Sequence, residues 1–244
     1  MIRLVATHAL GALACDGRVL PRPSRPWLVD LSVLKPFDFA PPGDIAEFEP
    51  RPDFARWALV DTPPRPEDAL RWNEVEADGR RLLVCDRVIL VRVSWDDLDA
   101  AGYVQGRDVT IDGRRFSCRL LSGGEAFRAG EDGYAGGAPG NEWDDIVGGR
   151  AHVAGAPAPP ARAASDALDA HALADPHNRL WNWFGAVSWT REPYRLDPRV
   201  RVCRGFHAAG YFYLNTRSHR HEDIGWRPVL EERPLSGGAL RRPG

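Results

Sequence analysis

The sequence predicts an α+β fold of short strands, few helices and long ordered loops, and three observations carry that expectation. Apolar and basic residues alternate over Val200-Arg201-Val202-Cys203-Arg204, the period of a half-buried strand. Two further alternating segments, together running from Val109 to Leu120, flank Asp112-Gly113, the pair that a type I′ hairpin turn demands. Proline recurs at Pro21 and Pro23, at Pro41-Pro42, and at Pro63, Pro64 and Pro66, which excludes long helices from the first third of the chain.

Composition narrows the function classes. The 244 residues allow one large domain or two small ones, and a hydrophobic content of 43% with nine Trp supports a sizeable, aromatic-rich core. A net charge of -2 provides no global field to draw nucleic acid or anionic lipid. No apolar run approaches the length of a membrane span. Cys15, Cys85, Cys118 and Cys203 lie far apart with no CxxC pair, so they read as buried free thiols rather than a disulfide framework. The opening MIRLVATHALGALAC faintly suggests a lipoprotein signal ending at Cys15. His8 interrupts its apolar run, however, and Ala12 stands three residues before the cysteine. The reading is therefore an N-terminal strand or short helix of a cytoplasmic protein, with a phage particle or an exposed surface as the alternative setting.

Taken in order, residues 1–75 show short apolar runs between prolines, with a brief helix expected over Glu67 to Trp72 after Pro66. Leu82 to Val93 form two apolar runs divided at Asp86-Arg87, which read as strand. Ser94 followed three residues later by Asp97 is a capping signal for a helix from Trp95 to Ala101, ended by Gly102. The glycine-rich run Gly130 to Gly140 lacks the ending of a phosphate-binding loop and reads as a flexible surface loop. Asn141 caps a short helical turn whose Asp144 and Asp145 suit a helix start better than a catalytic carboxylate pair. Residues 148–176 read as a long surface loop with one helical turn near Ser165 to Leu173. Trp181, Trp183 and Trp189 are simplest as core, with stacking on a sugar as the sharper alternative, and Asn178 and Asn182 as loop backbone partners.

The last fifth of the chain carries the functional signal. A second apolar strand, Ile224 to Leu230, is entered through Gly225. Between it and the strand ending at Arg204 lies a mostly aperiodic stretch rich in Tyr, Phe, His, Asn and Arg. Such residues give large contact area for little entropy lost, as binding surfaces require. The aromatic candidates for anchors are Phe206, Tyr211, Phe212 and Tyr213. Candidate polar contacts are His207, Asn215, Arg217 and Ser218, then His219, Arg220, His221 and Asp223. The spacing of His219 and His221 would let a strand chelate metal, but an aperiodic loop is a poor base for such a site, so no metal and no cofactor is expected.

The residues framing that stretch resemble the C-terminal part of the formylglycine-generating-enzyme-like (sulfatase-modifying-factor) branch of the C-type lectin fold. The matches are Arg201-Val202-Cys203-Arg204-Gly205 and Ile224-Gly225-Trp226-Arg227, with Phe184 to Glu192 as a diverged form of that family's Gly-Asn-Val-x-Glu-Trp segment. The resemblance covers about the last seventy residues. Catalytic members bind copper through two cysteines after an Arg-Gly-Gly strand. Here Cys203 precedes Arg204-Gly205 without a partner and Phe206 breaks the glycine pair, so copper oxidase activity is not expected.

From Phe206 to Asp223 every residue except Glu222 is encodable by a codon with free first and second bases and a pyrimidine third. That menu resembles the variable proteins of diversity-generating retroelements, which diversify asparagine codons at their adenines and carry the result at this place on a C-type lectin scaffold. The resemblance implies a ligand-binding domain over residues 79–232 with a variable segment at 206–223, an N-terminal extension over 1–78 packed on it, and a flexible tail over 233–244. It implies recognition of a protein or cell-surface ligand rather than catalysis. A phage-type receptor-binding or structural protein, and an enzyme of the same fold without copper, remain as alternatives.

Overall fold

The computed structural model describes residues 1–23, 46–48, 56–129, 136–157, 180, 186–206 and 209–233. The predicted helical turn at 165–173, Trp181, Trp183, Asn178, Asn182, His207 and the tail beyond Arg233 lie outside the described residues.

Strands dominate. In the N-terminal half they are β1 (Ile2–Ala9), β2 (Ala12–Cys15), β3 (Arg18–Val19), β4 (Ala46–Glu47), β5 (Trp57–Val60), β6 (Arg71–Ala77), β7 (Arg80–Cys85) and β8 (Leu90–Val91). Helix α1 (Trp95–Ala100) follows, then β9 (Arg107–Ile111), β10 (Arg114–Arg119), β11 (Ala126–Phe127) and β12 (Gly137–Ala138). A π-helical turn at Trp143–Val147 precedes β13 (Val153–Ala154), β14 (Val187–Tyr194), β15 (Asp197–Arg204), β16 (Phe212–Thr216), β17 (Ile224–Trp226) and β18 (Val229–Glu232). The fold is sheet-rich with few and short helices, as expected.

Two large sheets organise the chain. One runs β13-β1-β6-β7-β18-β10-β9, the other β16-β15-β14-β17-β8-β4. The expected boundary at residue 78 falls at the β6–β7 hairpin turn, inside the continuous seven-stranded sheet, because β1 and β6 pair with each other and β6 with β7. The single strand expected over Ile224 to Leu230 is two: β17 joins the six-stranded sheet, and after Arg227-Pro228 the chain changes sheets as β18. Proline at that point cannot donate to a ladder, which suits a crossing between sheets.

The period of two explains the core. In β7, Leu83 and Cys85 face one buried cluster while Leu82 and Val84 face another; in β18, Leu230 and Val229 divide the same way. The first cluster joins the sheets, packing Trp72, Phe116 and Cys118 with Trp189, Cys203 and Trp226. The second lies on the opposite face of the seven-stranded sheet, around Trp143, Ile146 and Val147. All four cysteines are free; Cys85, Cys118 and Cys203 are buried and Cys15 is half-buried on β2. Among the described residues no helix is long and apolar enough to cross a membrane.

The local signals hold where their chemistry is local. Ser94 caps α1 in a full capping box with Asp97, worth about 1 kcal/mol. Asp112 and Gly113 both take positive φ, 50° and 73°, and β9 pairs with β10 across them. The helix expected at Glu67 to Trp72 is instead a turn that delivers Arg71 into β6, where Trp72 fills the core and donates to the Leu10 carbonyl at 2.7 Å. Nor is the glycine run wholly a surface loop: Gly137 is buried on β12, paired with β11, where a Cβ would stand 2.2 Å from the Gly123 carbonyl oxygen.

Candidate functional site: a pocket built from the C-terminal segment

Strand β15 carries the site, and both its faces are buried near its end. Arg201 and Arg204, the basic residues of the alternating run, sit three apart on opposite faces of the strand and are 6% and 0% exposed. Arg201 lies 4.0 Å above the Trp95 ring. Arg204 points the other way, into a seat of oxygens. It donates to the carbonyls of Tyr211, Gly123 and Gly210 at 3.0, 2.7 and 2.9 Å, and it pairs with the buried Asp144. Asp144 in turn accepts from the Gly137 backbone and the Asn141 side chain, at 2.9 and 2.8 Å, and from Arg128. Burial pulls the Arg204 guanidinium below its usual value while the Asp144 charge opposes that shift. A buried charge needs such a full set of partners. The two acids of the turn after Asn141 thus differ in duty: Asp144 anchors the strand.

The backbone then turns sharply. Gly205 and Phe206 both take positive φ, 88° and 90°. For Phe206 this conformation is unfavourable and needs surrounding contacts to hold it. The Gly205 amide donates to the Tyr211 carbonyl at 3.1 Å.

Contrary to the aperiodic reading, the middle of the segment is a strand. In β16, Tyr213 stands opposite Cys203, Asn215 opposite Arg201, and Phe212 opposite Arg204. Alternation therefore puts Tyr213 and Asn215 on one face and Phe212 on the other. Phe212, expected among the exposed anchors, is fully buried. Its ring sits 4.6 Å from Phe127 and beneath the Arg204 guanidinium. The strand was visible in Tyr211-Phe212-Tyr213-Leu214-Asn215 as a run of strand-forming residues, hidden by the polar crowd after it.

The remaining candidates divide into two groups. Val187, Phe206, Tyr211, Tyr213 and Asn215 line one pocket of about 340 Å³. His219, His221 and Asp223 line it too. The Tyr211 and Tyr213 rings lie near-parallel with centroids 5.9 Å apart, as do the His219 and His221 rings. The His221 Nδ1 and an Asp223 oxygen are 2.7 Å apart. Main-chain bonds fix this wall to the scaffold: the Val187 amide donates to the Asp223 carbonyl at 2.6 Å and the Arg92 amide to the His221 carbonyl at 3.0 Å.

Arg217 and Arg220 belong to the second group and turn away from the pocket. Arg217 pairs with Asp96 and lies over Trp95. Arg220 makes two bonds to Asp97, at 2.9 and 2.6 Å. Ser218, exposed at the turn between them, does not line the pocket.

Beneath the pocket, Cys203 is buried and its thiol is pushed well above the ordinary cysteine range by burial, which leaves it an inert hydrophobe. Among the described residues no cluster of three metal-ligating side chains occurs. Compared with protein-family models, curated proteins and solved structures, the chain matches none of them.

Proposed function

We propose that this chain is a recognition protein. On this reading it displays the segment 206–223 on a C-type-lectin-like scaffold of the formylglycine-generating-enzyme type, as the variable protein of a diversity-generating retroelement. The observation that carries the reading is the pocket. Residues scattered over Phe206 to Asp223 converge on one concave, aromatic-lined surface, while most of the contacts that fix their backbone are made by residues outside the segment, among them Arg92, Asp96, Val187, Arg204 and Gly205. A surface of that kind can change its side chains without losing its shape, which is how a paratope works. The inert Cys203 beneath it supports binding rather than thiol chemistry.

The test is to sequence the encoding locus and its flanks across a clonal population. A near-copy of the DNA for residues 200–230, differing only at adenines and accompanied by a reverse transcriptase gene, is the expected finding. Diversified codons should include those for Tyr211, Tyr213, Asn215, His219 and His221, whereas functional copies should keep an apolar residue at the buried Phe212. A single invariant copy without a reverse transcriptase would remove the retroelement from the proposal and leave a binding domain of fixed specificity.

A further inference from the structure

The chemistry of the pocket walls says what kind of group the pocket holds. We infer that it takes a cationic side chain, arginine or lysine, presented by a protein partner; the inference rests on the recognition reading above. The argument is one of charge and ring geometry. Although the segment is rich in arginine, no Arg or Lys lines the pocket among the described residues. Arg217 and Arg220 are held on α1 by Asp96 and Asp97. Arg92, on the strand side, pairs with Glu222 at 2.6 Å. The acids that could neutralise an incoming cation outside the pocket are thereby engaged. Asp223 is the acid inside it, and its neighbour there is an imidazole rather than a guanidinium.

One Asp223 oxygen meets His221 Nδ1, and among the described residues the other is left to accept from a ligand. The Asn215 side chain, which also lines the pocket, adds a polar group that can accept. Phe206, Tyr211 and Tyr213 contribute ring surface, and the negative face of an aromatic ring attracts a cation that has lost part of its water. A volume of about 340 Å³ is at the small end for ligand pockets and suits one long side chain. A carboxylate flanked by flat rings also suits the planar guanidinium, which can stack and hydrogen-bond at once.

The probes are N-acetyl-arginine amide and N-acetyl-lysine amide, each titrated into the whole protein beside its neutral counterpart, N-acetyl-citrulline amide or N-acetyl-norleucine amide. Backbone NMR resonances of Tyr211, Tyr213, Asn215 and His221 report the site. At least one cationic probe should move them with an apparent affinity tenfold or more above that of its neutral counterpart. Asp223→Asn should erase most of that difference while leaving resonances of β7 and β10 in place, which shows that the variant folds. Charged and neutral probes binding these residues equally well, or an unchanged difference in Asp223→Asn, would overturn the cation inference and leave recognition by this face standing. Absence of any shift at these residues with all four probes would overturn both.

Discussion

Strand β15 and strand β16 lie side by side and behave as opposites. On β15, Arg201, Val202, Cys203 and Arg204 are all buried, and Arg204 uses its guanidinium to tie Gly123, Gly210, Tyr211 and Asp144 together. On β16, Phe212 alone is buried, and Tyr213 is 40% exposed. The same ladder that fixes the backbone of one strand fixes the other, so the exposed strand inherits a rigid shape that its own side chains do little to create. What is exposed and what holds the backbone are separated between neighbours. A binding surface on such an edge can be rewritten at Tyr213 or Asn215 at small cost, but not at Phe212 or Arg204.

Breaking the holding side should give the largest effect. Asp144→Ala strips Arg204 of its counter-charge and leaves a buried guanidinium uncompensated, a change of about 3–5 kcal/mol. Urea denaturation of Asp144→Ala and Tyr213→Ala side by side measures the contrast directly. Tyr213→Ala, with its ring half in solvent, should lose less than about 1 kcal/mol. Equal losses for the two would mean that Tyr213 is core and that the separation between the strands is false.

Gly225→Ala should follow in size. A Cβ there would stand 2.1 Å from the Leu90 carbonyl oxygen and 2.7 Å from a Val88 methyl carbon, where β17 pairs with β8. Overpacking of this kind costs about 1–3 kcal/mol. Because β17 also pairs with β14 beside Val187, the strain reaches the pocket wall. The variant should therefore shift the NMR resonances of Asp223 and His221 as well as lower stability. A loss of stability with the pocket resonances untouched would show that the wall is held independently of β17.

How much of this was legible in the residues follows from how local the physics is. The Ser94–Asp97 capping box and the Asp112-Gly113 turn are decided by neighbours in sequence, and both stand in the structure as read. Tyr211, Tyr213, Asn215, His219, His221 and Asp223 stand out in the sequence by residue type, and the structure brings them around one pocket. Burial of a charged residue did not show. Arg204 reads as solvent-facing until Asp144, sixty positions earlier, and three carbonyls are placed around it. Phe212 is buried rather than exposed for a related reason: residue type cannot say which face of a strand it takes, and only pairing with β15 assigns the face. Arg217 and Arg220 needed α1 beside them before their acids could be named. The N-terminal third was opaque because β1 pairs with β6 and β13, both far along the chain from it.

The smallest effect concerns the join between the displayed segment and α1. Burial works to raise the Asp97 pKa, but hydrogen bonds from Arg220 and Ser94 outweigh it and hold the carboxyl below its ordinary value of 3.8. A carboxylate whose folded value is depressed contributes stability that is present above the unfolded value and lost as pH falls through the folded one. Acid should therefore weaken this contact below about pH 4. Asp97→Asn should lower stability at neutral pH by about 1 kcal/mol, and the gap to the wild-type protein should close as pH falls below that point. Arg220→Ala, which removes a partly exposed guanidinium but leaves the Ser94 bonds, should cost less than Asp97→Asn. If Arg220→Ala costs as much, the arginine is part of what holds α1 in place, and the segment contributes to its own support. A smaller cost would mark Arg220 as a side chain that contributes little to the support of the fold.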